Sequence, residues 1–283
     1  MKSCLSYWNM GKNKADQRSP GNYILKHLSR LTELEVTESF ENNTTYDYQL
    51  FTEFQECYDE DVKFLEKRHA SKKVFYCIDP HLTFDIVKDW YSKYDLDYIF
   101  TTQKSSVQQF KDYGVDKVKW LPFAADDIHI FNRTMLKKHF DIGFVGTYKD
   151  TQHQKERFDT LMKLYNKYYV NPIHYVIPYD TRFVYGMSKV GWNKSLKNEL
   201  NMRTFEVTAA NTLLITDEQD SIYDIFKKED IVTYKDENDM YEKIDYYLSH
   251  PEDAQLISDN GFETVTNENM YSHRVQKMLE VLE

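Results

Sequence analysis

Cysteine is scarce in this sequence, and its spacing excludes two kinds of small cross-linked domain. The three cysteines, Cys4, Cys57 and Cys77, are an odd number and show no Cys-x-x-Cys spacing. A disulfide framework needs paired cysteines, and a structural zinc site needs closely spaced ligands. We therefore expect neither a disulfide framework nor a structural zinc site, and this cysteine content is consistent with a protein of the reducing cytoplasm. Zinc-ligand spacing such as His-Glu-x-x-His is also missing among the central histidines, which are His129, His139, His153 and His174. These histidines therefore give no support for zinc chemistry.

Long apolar segments and an excess of basic charge are also missing. No apolar run approaches the roughly 20 residues of a membrane-spanning helix, and the opening residues MKSCLSYWNMGKNK lack the apolar core of a signal peptide. The mean hydropathy of −0.70 is typical of a water-soluble chain. With 36 basic and 46 acidic residues the net charge is −10, which disfavours a large nucleic-acid interface.

The length of the chain and its alternating segments predict two α/β domains. At 283 residues the chain exceeds the usual size of one hydrophobic core. Short apolar strands such as KKVFYCID and FDIGFVG alternate with helices at the spacing of βαβ units, which implies mostly parallel sheets. We expect two Rossmann-like domains, residues 1–135 and 136–283, whose sheets face an interdomain cleft. The final helix is a candidate to pack back on the first domain.

The segment DIGFVGTYKD places Gly146 at the end of a strand, just before a helix. A glycine there lets the backbone approach phosphate oxygens, and the N-terminus of the helix offers free N–H groups. The segment contains neither the full Gly-x-Gly-x-x-Gly motif nor a P-loop, so it supports neither a standard dinucleotide site nor an ATPase. A purely structural glycine turn is an equally good interpretation.

A second segment, NMRTFE, places Arg203 and Glu206 three residues apart on one face of a predicted helix. Arginine offers a planar fork of donors to a diphosphate, and a carboxylate accepts hydrogen bonds from both ribose hydroxyls. Asn193 and Ser195 follow the preceding strand, and Asn201 begins the helix. Together these residues predict a site for a nucleoside diphosphate. The alternative is a structural Arg–Glu ion pair.

These segments, in this order, resemble CgeB-type glycosyltransferases of the GT-B fold. In the second half the matching pieces are FVGTY with Arg157 after it, YGMSKVGWNKS, NMRTFEVTAANTLLITD, IVTYKDENDMYEKIDYYL and NGFETVTNENMYSHRV. The first half contributes FYCIDPH and LDYIFTTQKSSVQQFKDYGVDKVKWLPFAAD. The resemblance covers most of the chain and is weakest near the N-terminus.

The resemblance implies a metal-independent hexosyl- or pentosyltransferase that uses a nucleotide sugar, UDP-linked by preference, and no further cofactor. Glu206 matches the ribose-binding member of a glutamate pair. Asn198 stands where retaining relatives carry the other glutamate, and Glu199 is adjacent but would point elsewhere on a helix. This departure leaves retaining and inverting transfer both open. The implied donor-binding residues are Gly146, Thr147, Tyr148, Arg157, Asn193, Ser195, Asn201, Arg203 and Glu206.

The acid–base chemistry of transfer has three candidates in the first half. FYCIDPH ends a strand with Asp79 and His81, separated by a proline that fixes the turn. Because strand ends border the predicted cleft, Asp79 is a candidate general base for an acceptor hydroxyl, and His81 is a candidate to orient acceptor or donor. Asp16, in the loop after the first strand, is a competing base. The structural alternative is that Asp79 caps the next helix and His81 is a solvated turn residue.

The function predicted from the sequence is a cytoplasmic glycosyltransferase with a carbohydrate, protein or nucleobase acceptor and no membrane span. A nucleotide-sugar epimerase of the same fold would instead convert the donor with no acceptor present. A non-catalytic module would bind nucleotide sugars without transfer or hydrolysis. The net charge of −10 counts against a DNA-base acceptor without excluding it.

Overall fold

A computed structural model gives the structure of the chain, and it describes residues 2–7, 19–37, 45–52, 64–131, 137–146, 154–171, 178–219 and 221–283. The chain divides into two compact units. Residues 1–122 together with 271–283 form the first, and residues 123–270 form the second. Each unit is an α/β domain built on one parallel sheet.

Six parallel strands form the sheet of the first unit, in the order β2-β1-β3-β4-β5-β6. In chain order they are β1 (Ser3–Tyr7), β2 (Glu33–Thr37), β3 (Tyr46–Thr52), β4 (Ala70–Cys77), β5 (Tyr98–Thr101) and β6 (Val118–Trp120). The last residues of β4, from Val74 to Cys77, are at most 1% exposed. Such an unbroken apolar run is typical of a parallel strand covered on both faces. The helices of this unit are α1 (Pro20–Leu31), α2 (Pro80–Val87), α3 (Trp90–Lys93), α4 (Lys104–Asp112) and α10 (Tyr271–Leu282).

Four parallel strands form the sheet of the second unit, in the order β10-β9-β8-β7. They are β7 (Phe140–Gly143), β8 (Ser188–Asn193), β9 (Leu213–Asp217) and β10 (Val232–Tyr234). Ile142 of β7 pairs with Val190 of β8, and it also forms an isolated parallel bridge to Val170 on its other side. The helices are α5 (Lys155–Lys167), α6 (Pro178–Gly186), α7 (Met202–Ala209), α8 (Glu237–Ser249), α9 (Pro251–Glu268) and the 3₁₀ helices Asp127–His129 and Ile222–Asp224.

Helix α7 packs unusually close to β8, and this contact fixes the first turn of α7 beside the end of the strand. A Cβ added at Gly191 of β8 would lie 2.4 Å from a methyl carbon of Val207 in α7. Only glycine permits this approach. Phe205 and Val207 are fully buried, so the helix is held against the sheet by apolar contacts that a shift of either element would break.

The predicted fold class, two α/β domains with parallel sheets, is confirmed. One predicted element is wrong in part. The segment IHYVIPY (173–179) suggests a strand, yet its last two residues, Pro178 and Tyr179, belong to α6, and the rest lies outside the described residues. Proline suits the start of a helix because it lacks the N–H that a strand donates. In the described part of the chain, no helix combines the length and apolar character needed to cross a bilayer.

Candidate active site

The connections that follow β7 and β8 run in opposite directions across the sheet. After β7 it passes through α5 to the bridge at Val170, on one side of β7, and then returns through α6 to β8 on the other side. After β8 it continues through α7 to β9. Loops that leave neighbouring strands in opposite directions open a crevice at the carboxyl edge of the sheet, where α/β proteins bind ligands. A ligand site is therefore expected among the residues that follow β7 and β8.

Arg203, in the first turn of α7, joins these two strand ends. Its Nε donates to the carbonyl oxygen of Val145, just after β7, at 2.8 Å, and its Nη1 donates to Oδ1 of Asn193 at 2.6 Å. The guanidinium carbon lies 4.5 Å from the centre of the Phe144 ring, a cation–π contact. The side chain is buried, since Arg203 is 8% exposed. These three partners are uncharged, and in the part of the chain that the structure describes no carboxylate forms an ion pair with Arg203.

Gly146 makes room for the guanidinium group. A Cβ at this position would lie 2.0 Å from Nη2 and 3.0 Å from Cζ of Arg203. From the sequence, this glycine is predicted to let a phosphate approach the backbone. What the structure shows there is an arginine close to the same backbone, so a side chain at this position would displace the guanidinium group of Arg203.

Asn193, the last residue of β8, is the centre of the hydrogen bonds at this edge. Its Oδ1 accepts from Arg203 and from Nδ2 of Asn201, at 2.6 and 3.2 Å, and its Nδ2 donates to Oγ1 of Thr216 at 2.9 Å. Asn201 is the N-cap residue of α7, yet its side chain caps none of the helix N–H groups. The first turn of α7 therefore keeps donors that its own cap does not occupy, as helix ends that bind anions do.

Two inward-facing carboxylates hold the loop between β8 and α7. Asp217, at the end of β9, accepts hydrogen bonds from the backbone N–H of Ser195 at 2.9 Å and from its hydroxyl. Glu199 accepts from the N–H groups of Leu196 and Lys197, at 2.6 and 2.7 Å. Three successive peptide N–H groups are thus donated to carboxylates of the protein. These contacts fix the backbone of the loop from within the protein.

A second buried arginine lies near the first. Arg157 of α5 donates from Nε to the carbonyl oxygen of Lys194 at 2.9 Å, and its Nη2 is 3.7 Å from Oε1 of Glu199. Burial, reinforced by the positive charge of Arg203, lowers the pKa of Arg157 to about 10. The positive charges of the two guanidinium groups therefore repel each other, and an anion bound beside them would offset this repulsion.

Glu206 lies one turn after Arg203 on α7, and its partner is different. Its Oε1 is 3.6 Å from Nε2 of His129, the last residue of the 3₁₀ helix Asp127–His129. An Arg203–Glu206 ion pair is the structural alternative from the sequence. Among the described residues the ion pairs do not include it, and each of the two side chains has contacts of its own.

The candidate acid–base residues of the first unit follow β4. Asp79 is the N-cap residue of α2, and its backbone oxygen accepts from the N–H groups of Leu82 and Thr83, at 2.9 and 3.0 Å. Asp79 therefore occupies the N-cap position that the structural alternative gives it, but its carboxylate makes no capping hydrogen bond. His81 lies half-buried in the first turn of the same helix. Three other predicted site residues lie outside the described residues, namely Asp16, Thr147 and Tyr148.

Sequence reasoning missed three side chains that shape the second-unit site. The sequence predicts that Glu199 points elsewhere on a helix, yet it lies in the loop before α7, buried and turned towards Arg157. Asp217 had a local signal, since it is a carboxylate at the end of an apolar strand that neighbours β8. No local signal in the sequence points to His129, because its contact with Glu206 joins segments that are far apart in the sequence.

Comparison with known proteins identifies the family. Residues 130–280, just over half of the chain, match the family described as glycosyl transferase-like. The chain therefore belongs to this glycosyltransferase family. No curated protein sequence matches it at a significant level.

Several solved structures are similar over the whole chain. HepE of Anabaena, in complex with UDP and glucose, has a TM-score of 0.70 and 8% identity, over 100% of this chain and 99% of that one. T4 phage BGT, in complex with UDP-glucose, has a TM-score of 0.68 and 13% identity over all of both chains. A glycosyltransferase from Rickettsia africae has a TM-score of 0.64 and 13% identity, over 99% and 97%. These similarities show the fold, the GT-B architecture predicted above.

Proposed function

We propose that this protein transfers a sugar from a UDP-linked donor to an acceptor, and that the crevice at the ends of β7 and β8 binds the nucleotide. The pair of buried arginines carries this proposal. Among the described residues, Arg203 has no carboxylate within ion-pair distance, and Arg157 lies close to it. A buried cation without a counter-charge is costly, and a diphosphate would supply that charge. Family membership supports transferase activity, and the UDP complexes of HepE and T4 phage BGT support the choice of nucleotide.

We assign the diphosphate to Arg203, the backbone at Gly146 and the first turn of α7. Nη2 of Arg203 lies beside Gly146, where an oxygen of the ligand would accept from it. Arg157 adds positive potential from α5 and, through Lys194, fixes the start of the loop after β8. The remaining proposed donor contacts are those predicted from the sequence: Thr147, Tyr148, Asn193, Ser195 and Asn201.

We assign the ribose to Glu206. Side chains three apart on a helix lie roughly 5–6 Å from each other, which is about the spacing of the ribose and the diphosphate in a nucleotide. The side chain of Glu206 is 12% exposed, so its carboxylate is held by the protein but is within reach of a ligand. One carboxylate accepts hydrogen bonds from both ribose hydroxyls.

Transfer also requires stabilisation of the departing UDP and a base for the acceptor hydroxyl. The two arginines would stabilise the charge that develops on the diphosphate, which is why we propose that no metal is obligatory. Asp79 is the proposed base, with His81 orienting the substrates and Asp16 as the competing base.

The proposed acceptor classes are a carbohydrate, a protein or a nucleobase, and the CgeB-like type is the proposed finer family. Because one similar structure is T4 phage BGT with UDP and Mn²⁺, transfer should be measured in both EDTA and Mn²⁺.

Calorimetric titration with UDP tests the diphosphate assignment. Arg203→Ala removes charge-assisted hydrogen bonds worth about 1.5–3 kcal/mol, so UDP affinity should fall by roughly 10- to 150-fold. Arg203→Lys keeps the charge without the fork and should give an intermediate loss. The matched control is Arg182→Ala in α6, whose guanidinium stacks on Phe183, and it should bind UDP normally. Unchanged affinity in a folded Arg203→Ala variant would overturn the assignment.

Incubation with UDP-sugars and no acceptor separates the proposed transferase from the other functions. Slow hydrolysis with release of UDP is expected of a transferase, because water replaces the missing acceptor. Conversion of the sugar without release of UDP would identify an epimerase. Binding with neither reaction, in the presence of any acceptor class, would identify a non-catalytic module.

A further inference from the structure

His129 is a buried histidine whose two ring nitrogens face different parts of the second unit. It ends the 3₁₀ helix Asp127–His129 and is 1% exposed. Its Nδ1 accepts a hydrogen bond from the backbone N–H of Asp126 at 2.9 Å, and the carboxylate of Asp126 in turn accepts from the N–H of Ile128 at 3.2 Å. This reciprocal cap fixes the orientation of the imidazole ring.

The hydrogen-bond network also fixes the tautomer of His129. A ring nitrogen that accepts from an N–H group carries no proton, so Nδ1 is unprotonated and the neutral ring carries its proton on Nε2. That Nε2–H group faces Glu206, with Nε2 at 3.6 Å from Oε1. The separation is slightly longer than a hydrogen bond, and a small rotation of the carboxylate would close it.

We propose that His129 is a positioning residue that orients the carboxylate of Glu206 for the ribose of the donor. The inference rests on the proposed function, because it needs Glu206 to contact the ribose. A neutral N–H donor on one carboxylate oxygen fixes the plane of the group and leaves the remaining lone pairs to the two ribose hydroxyls. The ring keeps this geometry because Asp126 holds its other side.

Two variants separate this positioning role from a purely structural role, in which His129 would only make the contact with Asp126. In His129→Asn, the amide oxygen takes the place of Nδ1, so the contact with the Asp126 N–H is kept and the donor towards Glu206 is lost. In His129→Gln, the amide nitrogen takes the place of Nε2, so the donor is kept and the contact with Asp126 is lost. His139→Asn is the matched control, since that histidine is exposed in the same unit.

The measurement is calorimetric affinity for three probes: UDP, 2′-deoxy-UDP and inorganic pyrophosphate. His129→Asn should lower the affinity for UDP by about tenfold. It should reduce the difference in affinity between UDP and 2′-deoxy-UDP, and it should leave the affinity for pyrophosphate unchanged. His129→Gln should keep the wild-type preference for UDP over 2′-deoxy-UDP, even if the melting temperature of this variant is lower. His139→Asn should bind all three probes as the wild type does.

Glu206→Gln distinguishes failure of this inference from failure of the proposed function. If Glu206→Gln binds UDP like the wild type, the ribose assignment fails and the role of His129 fails with it. If Glu206→Gln weakens UDP while His129→Asn does not, the positioning role alone is overturned. Equal ribose preference in the folded Asn and Gln variants of His129 would also overturn it. The double variant His129→Asn/Glu206→Gln should lose no more UDP affinity than Glu206→Gln alone.

Discussion

The narrow space beside Gly146 allows a sharp test of the proposed diphosphate site. In Gly146→Ala, the new methyl carbon would lie 2.0 Å from Nη2 of Arg203, whereas ordinary contacts begin at 3.4 Å. The guanidinium would have to retreat by more than 1 Å. Its hydrogen bonds to Val145 and Asn193 are 2.8 and 2.6 Å long, so a movement of this size breaks at least one of them.

The expected cost in affinity follows from the loss of that anchored arginine. A charge-assisted hydrogen bond contributes about 1.5–3 kcal/mol, so Gly146→Ala should weaken UDP by roughly 10- to 150-fold. Calorimetric titration with UDP measures this loss, and urea denaturation checks that the variant is folded. Gly114→Ala serves as the control, because Gly114 has a φ of 82° and open space around its Cβ position in the first unit. It should lower stability through backbone strain while leaving UDP affinity unchanged.

A double-mutant cycle separates this explanation from a direct effect of the methyl group on the ligand. With Arg203→Ala in place there is no guanidinium to displace, so adding Gly146→Ala should cost little further affinity. Additive losses would mean that the methyl group blocks the ligand itself. Wild-type affinity in Gly146→Ala alone would refute the reasoning, since the arginine would then not be needed where the structure places it.

Two further predictions concern the first unit. Asp79→Asn should lower kcat by about 10²-fold or more, the usual loss for a general base, with UDP affinity intact; near-normal turnover would favour Asp16 or His81. Lys73 of β4 is 2% exposed and donates to the carbonyl oxygens of Leu65 and Tyr94, and burial lowers its pKa to about 8. Because the unfolded chain keeps this proton up to pH 10.5 or so, the free energy of unfolding of the wild type, relative to Lys73→Met, should rise by up to about 3 kcal/mol as pH increases from 8 to 10.5. A flat or falling difference in urea denaturation would contradict it.

Local patterns were enough to predict most elements of the second unit. The segment NMRTFEVTAANTLLITD predicts a helix over 202–210 and a strand from Leu213, and the structure has α7 at Met202–Ala209 and β9 at Leu213–Asp217. Here the apolar periodicity, the break at Asn211-Thr212 and the buried apolar run all agree. Agreement of that kind is the condition under which sequence alone predicts structure well.

The partners of the site residues could not be predicted in the same way. The spacing of Arg203 and Glu206 correctly places both on one helix, but it says nothing about which other segments approach that helix. Val145 and His129 reach the helix through the tertiary fold, and a single sequence carries no record of such contacts. Glu199 shows the same limit, because the arginine that its carboxylate faces, Arg157, belongs to the distant helix α5.

The loop between β8 and α7 has a practical consequence for assay design. Its backbone is held from within by Asp217 and Glu199, while the side chains of Lys197 and Asn198 are exposed. Asn198 has a φ of 57°, a left-handed conformation that asparagine tolerates better than most residues, so position 197 is the better one to alter. A fluorescent dye attached there would sit on a rigid support next to the proposed nucleotide crevice. We expect its emission to follow donor binding in real time, which would allow candidate acceptors to be screened before any product has been identified.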